Sequence, residues 1–318
     1  MKAKQYILGI ILCLTATVAW GAMFPIMAPT LKLIDPVYFT LLRYGSVAII
    51  FAILLLIIEG KSAFNPGKSF WKLWLLGTFA FAGFNLLVFA GQNLAGKSGS
   101  VIASVMMAIQ PLITALISWL FKGKKLNLVT IFTMILAFIG VFLVVTKGNP
   151  KLLFQGGSGL AVATLLIFLA DLCWVLFTMG GSEFKDWSIL RYSTLTTIYG
   201  VISVAILTVI FTIFGVISVP KVETLVSIRG ALAYMIIFAG VIAVFTWNLG
   251  NKYLGPVNGI LFMNIEPVTS FIVVTMSGYL ATEAEIIGCI LTIVALIINN
   301  VFLRFQTDPK EVREEVED

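Results

Sequence analysis

Residues 36–58 read PVYFTLLRYGSVAIIFAILLLII, an apolar run in which Arg43 is the one charged side chain. A helix over this run is long enough to cross a hydrocarbon core, which takes about 20 predominantly apolar residues. A guanidinium inside a bilayer is costly and needs a partner or a polar cavity. The stretch thus predicts a membrane-spanning helix and, within it, a charge that has to be accommodated.

The pattern extends along the chain. Of 318 residues 60% are apolar and 11% charged, with a mean hydropathy of +1.06, whereas soluble domains run near roughly 45–50% apolar and 25% charged. An ordinary soluble fold and a disordered chain are both excluded, and unbroken apolar runs argue against a β-barrel, whose strands alternate. Apolar runs set against charged or Gly/Pro punctuation give ten expected spans, about 5–27, 36–58, 71–92, 99–121, 126–146, 158–180, 188–214, 230–250, 255–280 and 285–303. The expected fold is an all-α polytopic membrane protein. The first span follows Lys2 and Lys4 as a signal peptide would, but it is too long for a signal core and no A-x-A site follows it, so it reads as a retained helix.

Short-loop Lys and Arg set the expected direction. With the N-terminus inside, 13 fall on the cytoplasmic side (Lys2, Lys4, Lys61, Lys68, Lys72, Lys122, Lys124, Lys125, Lys185, Lys252, Arg304, Lys310 and Arg313). Six fall outside (Lys32, Lys97, Lys147, Lys151, Lys221 and Arg229), while Arg43 and Arg191 lie within spans. The expectation is a multi-pass protein of the plasma membrane with both termini cytoplasmic and an acidic tail over 304–318.

Several chemistries are excluded by composition. With no histidine there is no Ser-His triad, and no metal site is expected. Cys13, Cys173 and Cys289 are scattered through apolar runs without ligand spacing. The +6 charge comes from single basic residues between spans, so no nucleic-acid face is expected. Gly156-Gly157-Ser158-Gly159 lacks the phosphate-loop frame, and no cofactor is implied.

The chain also repeats itself. Trp20 matches Trp174, Leu42-Arg43-Tyr44 recurs as Leu190-Arg191-Tyr192, and Gln110-Pro111 aligns with Glu266-Pro267, in order and in equivalent spans. Five-plus-five duplication follows, with repeats over 1–150 and 151–303. Because five is odd, the second copy enters the membrane inverted, and a central cavity between inverted copies is the architecture of many secondary transporters.

Trp20-Gly21, the L-R-Y runs and the x-Pro pairs of spans four and nine resemble the EamA-type ten-helix branch of the drug/metabolite transporter superfamily, over essentially the whole chain to residue 303. The resemblance implies a secondary transporter, with export the commoner direction. One departure is clear: a Gly-Glu pair common after spans four and nine reads Gly123-Lys124 and Gly278-Tyr279 here, with Glu283 and Glu285 nearby.

Four ionisable residues lie inside expected spans: Arg43, Asp171, Arg191 and Glu266. Glu266 and Asp171 are the candidate proton-coupling groups. For Glu266 the alternative is a structural carboxyl; for Asp171, an ion pair with Arg43 or Arg191. Arg43 suits a substrate carboxylate or phosphate, or a structural acid; Arg191, nearer its helix end, suits snorkelling to the surface. Pro111 and Pro267 are candidate hinges, since proline removes a helix hydrogen bond. Ser100, Ala103, Met107, Gln110 and Thr114 share a helical face with small and polar character, as do Pro256, Gly259, Met263, Glu266 and Ser270. Further cavity candidates are Thr17, Trp20, Tyr44, Asn85, Gln92, Asn93, Trp174, Tyr192, Trp247, Asn248 and Asn264. Neutral donors beside aromatic walls suit amphipathic organic solutes, amino-acid-like or drug-like. The expected partners are therefore a small-molecule substrate, the lipid bilayer and protons; the oligomeric state is not set by the sequence. A flippase for a lipid-linked substrate is the alternative, ahead of a channel or an intramembrane enzyme.

Overall fold

The computed structural model describes residues 2–122, 128–151 and 159–306. Gly123-Lys124, most of the glycine run at 156–159 and the tail beyond residue 306 lie outside the described residues. The helices are α1 (Lys2–Thr30), α2 (Pro36–Ile58), α3 (Phe70–Gly77, a π-helical segment Thr78–Phe84, then Asn85–Leu94), α4 (Gly99–Met107), α5 (Gln110–Lys122) and α6 (Leu128–Thr146). They continue as α7 (Gly159–Gly181), α8 (Ile189–Ile213), α9 (Arg229–Ile236, a π-helical segment Ile237–Ile242, then Ala243–Leu254), α10 (Ile265–Met276) and α11 (Glu283–Gln306). Among the described residues there is no strand.

Seven helical stretches are long and apolar enough to cross a membrane, or eight when the pair Gly96–Met107 and Gln110–Leu120, bent by 45°, is taken as one span. The chain is a polytopic membrane protein. The expected ninth span is in pieces: Pro256–Gly259, a 3₁₀ stretch Ile260–Asn264 and α10. Both breaks sit where a proline opens the following helix, at Pro111 and Pro267. Proline lacks the N–H that would tie it to the preceding turn but is tolerated in a first turn, so each helix restarts there.

Helix starts fix the register of the two halves. Asp35 caps α2 by accepting from the Val37 N–H at 2.8 Å, and Ser188 caps α8 by accepting from the Arg191 N–H at 3.0 Å. Measured from these caps, Arg43 lies eight residues into its helix and Arg191 only three. The two L-R-Y runs therefore do not occupy equivalent depths; five residues at about 1.5 Å each separate them. A better correspondence is the cap pair itself, spaced 153 apart (35 to 188), close to the 154 between Trp20 and Trp174. The π segments, which start at 78 and 237, also correspond: each carries a Phe-Ala pair, Phe79-Ala80 and Phe238-Ala239.

First-half helices pack chiefly on second-half helices: α1 on α9 and α10, α2 on α8, α3 on α7 and α8, α6 on α11. Small residues permit this, as they do at membrane helix contacts generally. A Cβ at Gly77 would collide with the Thr196 carbonyl oxygen, and one at Gly200 with the Gly77 carbonyl oxygen. Gly140 and Gly288 stand in the same relation between α6 and α11. At Gly21 a Cβ would come within 2.8 Å of the Glu266 carbonyl oxygen, so α1 crosses α10 backbone to backbone. Gly255, by contrast, is the C-cap of α9 at φ 77° with open space around it, a helix stop, whereas a Cβ at Gly259 would collide with Asn251 Oδ1.

Gly200→Val should lower the thermal-unfolding midpoint of the purified protein sharply, since overpacking a close contact costs about 1–3 kcal/mol and here the obstacle is backbone. Gly45→Ala, where nothing lies within 4 Å, should leave it unchanged or slightly raised. Equal melting of the two variants would contradict the α3–α8 contact.

Candidate functional site

A π-helical turn widens the hydrogen-bond ladder and marks functional sites more often than ordinary helix does. Here the two π segments present the carbonyls of Ala80 and Ala239 to side chains. Ala239 O accepts from Arg43 Nη2 at 2.7 Å and from Trp20 Nε1 at 2.9 Å. Ala80 O accepts from Asn85 Nδ2 at 2.9 Å, and Asn85 Oδ1 accepts from Arg43 Nη1 at 3.0 Å. Arg43 Nε also donates to Met235 O at 3.0 Å, and Nη1 reaches Met23 Sδ at 3.4 Å. The guanidinium is fully buried and lies 4.4 Å from the centre of the Tyr44 ring. No acid among the described residues pairs with it; neutral acceptors hold it. The expected ion pair between Asp171 and an arginine does not form.

Beside this clamp lies a closed chamber lined by Trp20, Met23, Arg43, Tyr44, Phe84, Met107, Gln110, Trp174, Met263 and Glu266. Its free volume is about 10 Å³, room for roughly one water-sized group. The lining comes from α1, α2, α3, α4, α5 and α7 and from the 3₁₀ stretch and α10, hence from both halves of the chain. Trp20 and Trp174 meet edge to face at 5.0 Å, with Phe84 5.1 Å from Trp174. Trp247 closes on both tryptophans from behind, at 5.4 and 6.4 Å.

The polar centre is Gln110, whose Nε2 donates to Asp171 Oδ1 at 2.8 Å and to Met107 Sδ at 3.2 Å. Gln110 Oε1, Asp171 Oδ2 and Trp174 Nε1 are buried with no hydrogen-bond partner. Glu266 is buried, lines the chamber, and makes no hydrogen bond or ion pair among the described residues. Asp171 is near enough to interact electrostatically with Glu266. Buried polar groups are normally satisfied, so this concentration of open valences points to a ligand or water site. No group of three or more metal-ligating side chains occurs among the described residues.

Of the sequence-derived candidates, the structure brings together Trp20, Arg43, Tyr44, Met107, Gln110, Trp174, Met263 and Glu266 at the chamber, with Asn85, Asp171 and Trp247 directly behind it. The others lie elsewhere. Thr17 bonds its own helix at Cys13 O, and Gln92 bonds Phe24 O at 2.7 Å with Ser100. Asn93 is exposed, Asn248 bonds Ser193 at 2.8 Å, and Asn264 is buried away from the lining. Tyr192 belongs to an aromatic chain from Phe177 to Phe184. Arg191 reaches a loop, donating to Asn65 O at 2.7 Å and lying over Trp187 at 3.8 Å, as a snorkelling side chain does. Phe84 and Met23 are chamber residues that sequence reasoning missed; both look like ordinary apolar positions.

Glu285, just after Gly278-Tyr279, is fully buried and accepts from Tyr279 Oη at 2.6 Å and from the Thr282 N–H at 2.8 Å. Thr282 Oγ1 accepts in turn from the Glu285 N–H at 3.3 Å, a capping box that starts α11. Lys147 Nζ, at the end of α6, stands 3.8 Å from the same carboxylate.

Arg43→Ala removes a donor from Met235 O, Ala239 O and Asn85 Oδ1 at once. Each buried group left open costs about 1–3 kcal/mol, so the variant should lose most of its folded yield by size-exclusion chromatography. Full thermal stability with activity alone lost would instead place the guanidinium on the substrate.

Comparison with known proteins agrees in kind with this architecture. Residues 7–146 match the model of the EamA-like transporter family. The chain is 41% identical over 313 residues, 98% of its length and 97% of the other's, to the uncharacterized transporter YrdR of Bacillus subtilis (strain 168). It is 27% identical over 292 residues, 90% of its length and 92% of the other's, to the uncharacterized transporter YyaM of the same organism. A crystal structure of a protein 18% identical to it superposes with a TM-score of 0.67, over 97% of this chain and 100% of that one, a likeness of fold alone.

Proposed function

Because the chain belongs to the EamA-like transporter family, we propose that it is a secondary transporter moving small organic metabolites, amino-acid-like or drug-like, by alternating access. In this reading ten spans form two inverted five-helix repeats, over 1–150 and 151–303, around the chamber. The observation that carries it is the narrow, water-sized chamber lined by buried residues from both halves and beside unpartnered polar atoms. Such a narrow central space suits a carrier, and inverted repeats rocking about it would open it to either side. The matched helix caps, π segments and proline restarts support the repeat.

Glu266 and Asp171 are the proposed proton-coupling pair. Two buried carboxyls that interact electrostatically, one lining the chamber and one behind it, resist carrying charge together, so a proton or a solute cation would balance them. Pro111 and Pro267, where the helices restart, are the proposed hinges. The 13-to-6 distribution of basic residues supports cytoplasmic termini in the plasma membrane, and export is the proposed direction. A second reading, transfer of a lipid-linked substrate, has one observation in its favour. A crevice of about 530 Å³ opens between α1, α9 and α10, lined by Pro25, Pro29, Tyr234 and Val273. The Tyr234 hydroxyl donates to Ala19 O at 2.8 Å across it.

In proteoliposomes screened with a metabolite panel, Glu266→Gln should abolish uptake driven by a pH gradient while leaving solute exchange measurable. Full gradient-driven transport by this variant would remove Glu266 from coupling.

A further inference from the structure

Three features of the chamber, taken together, say which chemical group it reads. The first concerns Gln110. Both of its amide hydrogens are engaged, one by Asp171 Oδ1 at 2.8 Å and one by Met107 Sδ at 3.2 Å. A carboxylate faces the NH₂ end, which fixes the amide so that Oε1 is left as a buried, unpartnered acceptor on the chamber wall. The second concerns Glu266, a further acceptor on that wall without a partner among the described residues. The third concerns Arg43. Its Nε, Nη1 and Nη2 already donate to Met235 O, Asn85 Oδ1, Met23 Sδ and Ala239 O. To fork onto a substrate carboxylate it would have to release these neutral acceptors, leaving buried carbonyls open.

The chamber thus offers acceptors, and with four of the five Arg43 N–H donors engaged the guanidinium has at most one Nη2 hydrogen left, too few to fork onto a carboxylate without breaking a bond it holds. Its walls are the rings of Trp20, Trp174 and Phe84, and aromatic faces attract an organic cation. We propose that the chamber is a subsite for a protonated primary or secondary amine, its N–H groups donated to Gln110 Oε1 and the Glu266 carboxylate. The site is not one for a carboxylate or phosphate held by Arg43. An ammonium head is of the water-like size that the closed chamber admits. Met23, Met107 and Met263, unbranched and adaptable, are the wall members that yield to the rest of the solute. Trp174 Nε1, an unpartnered donor on the wall, suits a hydroxyl or carbonyl oxygen adjacent to the amine. Asp171 acts as a positioning residue through Gln110. This subsite rests on the transporter reading and names the group its cargo must carry.

The test is a binding titration in detergent micelles at neutral pH, read by tryptophan fluorescence and by thermal shift. Two probes of matched skeleton are used, phenethylammonium and 3-phenylpropionate. Saturable quenching and stabilisation by the amine, with no response to the carboxylate, is the expected result. Glu266→Gln, isosteric and with no hydrogen bond to lose, should melt like the parent and bind the amine at least tenfold more weakly. Gln110→Met should weaken it as well, and Asp171→Asn should weaken it less than Glu266→Gln does. Saturable binding of the carboxylate, binding of neither probe, or amine binding indifferent to Glu266→Gln would each overturn the subsite. Since micelles carry no gradient, amine binding without vesicle flux would count against transport alone, and carboxylate binding with flux against the amine subsite alone.

Discussion

The structure depends on a cation held by carbonyls. Among the described residues Arg43 has no acid to pair with, and a bare guanidinium in a bilayer would be prohibitive. What makes it tolerable is a set of neutral acceptors: Ala239 O and Met235 O from α9, and the Asn85 amide oxygen from α3. Asn85 in turn holds Ala80 O. One side chain of α2 therefore ties together the two π-helical segments, one directly and one through an amide. Since α3 and α9 lie in different halves of the chain, this clamp joins the halves at the level of the chamber. The wide turns that weaken each helix are also the turns whose carbonyls face inward.

That arrangement also makes the site asymmetric. Trp20 finds Ala239 O for its indole N–H, but the corresponding carbonyl, Ala80 O, is occupied by Asn85, and Trp174 Nε1 is left open. Likewise Gln110 and Glu266 occupy matching places before their prolines, one neutral and tied to Asp171, the other acidic and untied. Positions that match in sequence thus carry a one-sided chemistry.

Much of this was legible in the sequence, for identifiable reasons. Long apolar runs have no stable setting other than a bilayer, so a helical polytopic membrane protein followed from length, while the described residues give seven or eight of the ten expected spans. Intramembrane charges are rare, so Arg43, Asp171 and Glu266 stood out, and all three lie in or against the chamber. The L-R-Y recurrence carries no register of its own; the sequence already sets Arg191 nearer its helix end than Arg43, and the caps at Asp35 and Ser188 fix the difference. The π segments left no compositional mark: TFAFAGF and IFAGVI read as ordinary membrane helix. Without them the acceptors of Arg43 could not be foreseen, which is why an acid was expected. The amides Gln92, Asn248 and Asn93 resemble Asn85 in sequence; only packing separates a helix-to-helix tie or an exposed group from a chamber support.

The crossing at Gly21 has a mechanical meaning. At Gly21 the backbone of α1 lies directly against the Glu266 carbonyl and Cα, with the Thr269 Cβ beside them. Side chains absorb small displacements by changing rotamer; peptide groups in contact do not. A shift of the carboxyl-bearing turn, whatever its origin, is passed to α1 undamped, and α1 in turn bears on α9. The joint behaves as a stiff crank rather than a cushion, so α1 becomes the rod along which an event at Glu266 travels to the membrane surface.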